Sequence, residues 1–153
     1  MGMAYIVEVD QSIKIEQSGA TVLAFSDGIS HAILIPSLVK TEVLRVLVSA
    51  GKSKATAHLL LFAACLYLLL EGYLDQLGCV VIDTEYSGKE AEIKAVLLRY
   101  VWRKAPTFAP ESIMFKQVGK GSPADKRARD VRLGRDNRYR RVTLAEVLRI
   151  VLK

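Results

Sequence analysis

The sequence predicts an α/β protein built on a mixed sheet: a three-stranded antiparallel meander, then alternating helices and strands, with helices on both faces. Three observations carry this. Three β-rich runs separated by turn residues fill positions 4–35. A helical stripe follows Pro36 at once. Further on, Cys79-Val80-Val81-Ile82 is a continuous apolar run between two helical patterns, as in a strand buried on both faces. At 153 residues the chain is expected to form one domain, 1–153, with a core that needs no disulfide or metal staple.

The first strand covers residues 4–10, with Ile13-Lys14-Ile15 as a continuation before a turn at Gln17-Ser18-Gly19. Thr21–Phe25 is the second strand and Ile29–Ile35 the third; Asp27-Gly28 between them is a hairpin signal. Leu38, Val39, Val43, Leu44, Val46, Leu47 and Val48 form a helical stripe that stops at Gly51. A second helix starts near Ser53 and contains twelve consecutive apolar residues, Leu59–Leu70. That run is short of the roughly 20 residues a bilayer crossing takes. A helix apolar all round is a core helix or a subunit interface; the core is the preferred reading, with homodimerisation as a second use and no membrane partner.

After the strand at Cys79–Ile82, Ser87-Gly88-Lys89-Glu90 has capping-box spacing. The helix it would open carries Ile93, Val96, Leu97, Tyr100 and Val101 on one face. Pro106 and Pro110 mark a loop before a fifth strand at Ser112–Val118. Gly119-Lys120-Gly121 turns into a helix capped by Ser122 that fades near Gly134. Thr143-Leu144-Ala145-Glu146 is a second capping box, opening a final short helix.

Charge is distributed unevenly. The whole chain carries +6, yet Lys116–Arg141 holds ten Lys/Arg against three Asp, a net of +7. Lys126, Arg127, Arg129, Arg132, Arg135, Arg138, Arg140 and Arg141 are too dense to be covered by Asp130 and Asp136. Such asymmetry predicts a local cationic surface and an anionic partner, nucleic acid ahead of membrane. With Lys120 in the preceding turn, these side chains are the expected phosphate contacts, which position a strand without reading its bases. The bland alternative is a solvated basic surface that serves solubility. Gly119-Lys120-Gly121-Ser122 lacks the spacing of a Walker loop and reads as an ordinary turn into a helix.

Two cysteines, Cys65 and Cys79, lack metal-ligand spacing, and neither His31 nor His58 has a partner at catalytic spacing. Nucleophilic hydrolase chemistry is therefore not expected. The N-terminus runs straight into a strand pattern with no leader-like stretch, so a cytoplasmic location is expected.

The residues that suggest chemistry are acids at the ends of elements. Asp10 closes the first strand, Asp83 and Glu85 close the strand that begins at Cys79, and Asp125 lies in the first turn of the helix after Ser122. A carboxylate at the end of a buried strand needs a partner, a metal or solvent. Hard cations take oxygen ligands, so a carboxylate cluster beside a cationic surface points to phosphodiester chemistry with Mg²⁺ or Mn²⁺. Asp125 also has a structural reading, since Ser-x-x-Asp suits a helix cap.

In element order and in these acidic positions the chain resembles the ribonuclease H-like superfamily, which includes ribonuclease H and RuvC-type resolvases. Val9-Asp10-Gln11-Ser12 resembles the end of that family's first strand. Ile82-Asp83-Thr84-Glu85 resembles the end of its fourth, with Asp83 and Glu85 both candidates for the second acid. Ser122-Pro123-Ala124-Asp125 resembles the Ala-Asp of resolvase helices. The resemblance implies a five-stranded mixed sheet and metal ligation by Asp10, Glu85 or Asp83, and Asp125. It also implies two-metal hydrolysis, with ions about 3.5–4 Å apart activating water and stabilising the leaving oxygen. Glu42 is the nearest counterpart of the acid that ribonuclease H carries on its first helix. The function it implies is a metal-dependent nuclease acting on structured or duplex nucleic acid. The alternative is a non-catalytic module of the same fold that binds nucleic acid or a protein through residues 116–141.

Overall fold

The structure, a computed structural model, describes residues 4–83, 88–117 and 121–153. Strands β1 (Tyr5–Ser12), β2 (Thr21–Asp27) and β3 (Ile29–Ile35) form the meander. Helices α1 (Ser37–Ser49) and α2 (Lys54–Leu70) then lead to β4 (Leu77–Asp83). Next come α3 (Glu90–Lys104), β5 (Ile113–Lys116), α4 (Pro123–Arg132), β6 (Arg140–Arg141) and α5 (Leu144–Val151).

The six strands form one mixed sheet in the order β5-β4-β1-β2-β3-β6. The pairs β1–β2 and β2–β3 are antiparallel, while β1–β4, β4–β5 and β3–β6 are parallel. The sequence suggests five strands; the sixth is the two-residue β6, which pairs Arg140 and Arg141 with Ile33 and Leu34. Too short for a periodicity signal, it exists because β3 offers an open edge.

Side-chain alternation divides the sheet cleanly. Val7, Val9, Leu23, Phe25, Ile33, Val80 and Ile82 point to one face, where they join the apolar stripes of α1, α2, α3 and α5 in the main core. Val22, Ala24 and Ala32 point to the other and meet Ala128 and Val131 of α4. Alanines on both sides allow α4 to lie close against β1 and β2.

Helix α2 is the centre of the molecule. Ser53 caps it by accepting the amide of Thr56, and Ala57, Leu61–Leu66 and Leu68–Leu70 are buried. With the following turn, Lys54–Tyr73 has the length and mean hydropathy (1.7) of a membrane span. Its apolar side chains are nonetheless consumed inside the protomer, so it is a core helix.

Several boundaries differ from the sequence reading. Beyond Ser12 the expected strand through Ile15 gives way to a turn, with Ile13 at a φ of 66° and Ile15 buried in the core. Helix α3 begins at Glu90 with Lys89 in the capping position, while Ser87 of the proposed box lies outside the described residues. The second capping box forms as read: Thr143 accepts the Glu146 amide at 3.3 Å and Glu146 accepts the Thr143 amide at 2.9 Å.

Candidate functional site

The registers place a row of side chains across the face that α4 shares. Asp83 lies opposite Lys116, Asp10 opposite Ala24, and Ala24 opposite Ala32. Because Val9 pairs with Ile82 in parallel, Asp10 and Asp83 are the next residues of two adjacent strands. Neighbouring strands run about 4.8 Å apart, so the two carboxylates stand side by side at the carboxyl end of the sheet. Asp10 is 7% exposed, and its Oδ1 accepts the Gln11 amide at 2.8 Å. Strand β1 continues two residues past Asp10 through its pairing with β2, so this acid sits within the sheet margin. Both acids line a cavity of about 10 Å³ with Val9, Gln11, Leu23, Phe62 and Ile82.

Asp125 is engaged elsewhere. Its own amide is capped by Ser122 at 3.1 Å, its Oδ2 accepts the Gly121 amide at 2.9 Å, and Arg129 lies 3.8 Å away. Among the described residues no group of three or more His, Cys, Asp or Glu is placed to hold a metal ion. Asp10 and Asp83 are therefore brought together, and Asp125 is not joined to them in such a group. Glu85 and Lys120 lie outside the described residues. Glu42, half-buried on α1, is paired with Arg45 at 2.8 Å.

The basic segment is more heavily paired than its charge count suggests. Arg127 is sunk against the sheet, bonded to Ser30 Oγ and the Arg138 carbonyl, and faces Asp136 at 3.4 Å. Arg138 donates to Asp136 through side chain and backbone, and these bonds, with the Arg127 charge nearby, bring the Asp136 carboxyl down to about 2. Arg132 binds Ser12 Oγ. Arg140 faces both Glu71 and Glu146 across the β3 edge, and Arg135 lies 3.9 Å from Asp130. Lys126 and Arg141 are exposed. The acids Asp125, Glu71 and Glu146 thus share a neutralising role that the sequence reading gives to Asp130 and Asp136 alone. Arg129, Arg132, Arg135 and Arg138 remain exposed to solvent despite their partners.

The histidines and cysteines are structural in their settings. His31 packs against Phe25 and Tyr73, and burial, then the charges of Arg127 and Arg140, lower its pKa. His58 bonds the Lys54 carbonyl of its own helix through Nδ1. Cys65 is wholly buried and pushed up to about 12 by desolvation.

Two residues matter that the sequence reading passes over. Gln11 has a side-chain amide whose nitrogen and oxygen are both buried without a hydrogen-bond partner among the described residues. Lys40, 4% exposed, donates from Nζ to the carbonyls of Gln17 and Gly19 at 2.7 Å and to Thr21 Oγ1 at 3.0 Å. Lys40 leaves a trace in the sequence, since it shares the helical stripe of Val43 and Leu47. Gln11 leaves none beyond its position next to Asp10.

Comparison with known proteins returns no match: no family model, no curated protein and no solved structure is significantly similar to this chain.

Proposed function

We propose that this protein is a metal-dependent nuclease of ribonuclease H-like type. The observation that carries the reading is the Asp10–Asp83 pair on adjacent parallel strand ends, beside the arginine-rich α4. A meander followed by alternating helices and strands, with the second acid beside the first, is what the family resemblance implies. Two carboxylates suit Mg²⁺ or Mn²⁺, since Mg²⁺ is commonly held by one or two carboxylates and otherwise keeps its waters. The ion would supply an activated water and charge stabilisation at the phosphorus. Asp10 and Asp83 would hold it, and the exposed cations of the 126–141 segment would hold the backbone of the strand. Asp125 positions the start of α4 through Gly121 and Ser122.

Calorimetric titration with Mn²⁺, alongside cleavage of single-stranded, duplex and branched substrates, tests this. Asp10→Asn is expected to lower Mn²⁺ affinity and cut cleavage at least 100-fold while nucleic-acid binding stays within twofold. Equal Mn²⁺ binding by wild type and Asp10→Asn would sink the proposal. The engagement of the Asp125 carboxylate in its own cap favours a second reading, a non-catalytic module that binds nucleic acid. Under it no substrate is cut, and Asp10→Asn changes neither metal nor nucleic-acid binding.

A further inference from the structure

A second cavity, of about 230 Å³, opens between the first half of α2, the start of α3 and the turn after β1. Ala55, Leu59, Phe62 and Ile93 supply its apolar wall. Phe62 also lines the small cavity that Asp10, Gln11 and Asp83 line. Their place in the fold is informative. Strand β1 continues to β2 on one side, whereas its other neighbour, β4, is reached only after two helices. The crevice at the carboxyl ends of β1 and β4 is thus the switch point of the sheet, where open α/β folds bind their ligands.

Size, charge and hydrogen bonding narrow the occupant. Drug-sized ligands occupy clefts of roughly 300–1,000 Å³; at about 230 Å³ this one suits a single ring system. Glu16 and Glu92 line it, and Lys89, its cation, already faces Glu92 at 3.8 Å. Those carboxylates, with Asp10 and Asp83 beyond, disfavour a phosphate inside the slot itself. A neutral ring fits. Across Phe62, in the smaller cavity, lies Gln11, whose side-chain amide has no hydrogen-bond partner among the described residues. Buried polar groups are nearly always paired, and an unpaired one calls for a reason. The smaller cavity, about 10 Å³, has room for no more than one oxygen- or nitrogen-sized group.

Building on the nuclease reading, we infer that the slot, on the α2–α3 side of the sheet, takes one unstacked nucleobase of a strand that rounds the carboxyl ends of β1 and β4, its phosphodiester at Asp10 and Asp83 on the α4 side. Gln11 meets the edge of that base. The substrate is then a strand with an unpaired nucleotide at the point of cleavage (an end, flap, loop or junction) in preference to uninterrupted duplex. Enzymes that reach an extruded base read it in this manner, by apolar enclosure and hydrogen bonds to its edge.

The test uses the full chain and an oligonucleotide with 2-aminopurine at one unpaired position, beside the same probe in continuous duplex. Anisotropy reports total binding and 2-aminopurine emission reports enclosure of the base. Wild type is expected to change the emission of the unpaired probe and leave the paired one nearly unchanged. Ala55→Phe, which fills the slot from its exposed rim, is expected to weaken the emission response at least tenfold with anisotropy affinity within twofold. Gln11→Leu should weaken it severalfold while leaving the protein as stable as wild type or more so, because it removes an unpartnered amide. Normal anisotropy with emission that ignores both substitutions would overturn the slot and spare the nuclease reading. Absence of nucleic-acid binding at low salt would overturn both.

Discussion

Lys40 shows how one side chain can hold a segment next to the acidic pair. Its ammonium is buried among the carbonyls of Gln17 and Gly19 and the hydroxyl of Thr21, and burial pulls its pKa below the ordinary lysine value. The turn it fastens begins one residue beyond Ser12 and contains Ile13 in a left-handed conformation that costs a β-branched residue about 1–2 kcal/mol. Hydrogen bonds to a charged group contribute about 1.5–3 kcal/mol, and carbonyls left without a donor add a penalty. Lys40→Met is therefore expected to destabilise the protein by about 3 kcal/mol in urea unfolding. A loss below about 1 kcal/mol would mean that the turn holds itself. Residue roles of this kind are only partly legible in the sequence. Asp10 and Asp83 can be picked out because an acid closing an apolar run is unusual. The competing uses of Asp125 are both visible as spacing, and only the positions of Gly121 and Arg129 show which partners its carboxylate has.

At the scale of elements, α2 sets the response to alkali. Cys65 has its pKa raised from 9.0 to about 12 by burial, so the folded state keeps the thiol neutral while the unfolded chain ionises. A pKa raised on folding contributes stability that is full below the unfolded value and is lost as pH rises through the folded one. Here that window runs from 9.0 to about 12. At about 1.4 kcal/mol per pH unit, on the order of 4 kcal/mol is withdrawn across it. Denaturant unfolding at a series of pH values should show this fall in wild type. Cys65→Ala, although less stable near neutrality, should show a shallower one, with the raised Tyr67 and Tyr100 hydroxyls still contributing. Parallel curves would remove the thiol as the cause. Helices are readable from sequence because apolar runs, periodicity and caps are local. The strand β6 is not, because two residues have no period and their partner lies on β3. The pairing of the arginines escapes for the same reason: Arg140 meets Glu71 and Glu146 only after the chain has folded.

The whole molecule divides its charge between fastening and display. Arg127 is a fastener, while Lys126 and Arg141 are exposed and carry no ion pair among the described residues. Binding of any phosphate backbone releases counterions, so log K falls with log salt by nearly one per neutralised phosphate. The double substitution Lys126→Ala and Arg141→Ala should weaken binding alike for all sequences and reduce the salt slope by about 2, with little change in melting temperature. Arg127→Ala should chiefly lower the melting temperature. An unchanged slope in the double variant would move the contact surface off this segment. The net charge that predicts such a surface is a bulk property and legible in the sequence, but its division into fasteners and displayed cations depends on the tertiary fold.

The seating of α4 also has a consequence in time. Arg127 meets Ser30 and Arg132 meets Ser12 across 97 and 120 positions of chain. At roughly 5–20 residues per second of synthesis, about 5–20 seconds separate the making of the meander from the making of the helix that covers it. The carboxylate of Asp10 emerges early and its cationic neighbour among the last elements. Residues 1–115 hold ten Lys/Arg against twelve Asp/Glu, so a growing chain is slightly acidic until the basic segment is made. On the nuclease reading proposed above, the cationic surface that would hold a strand is complete only once α4 is in place.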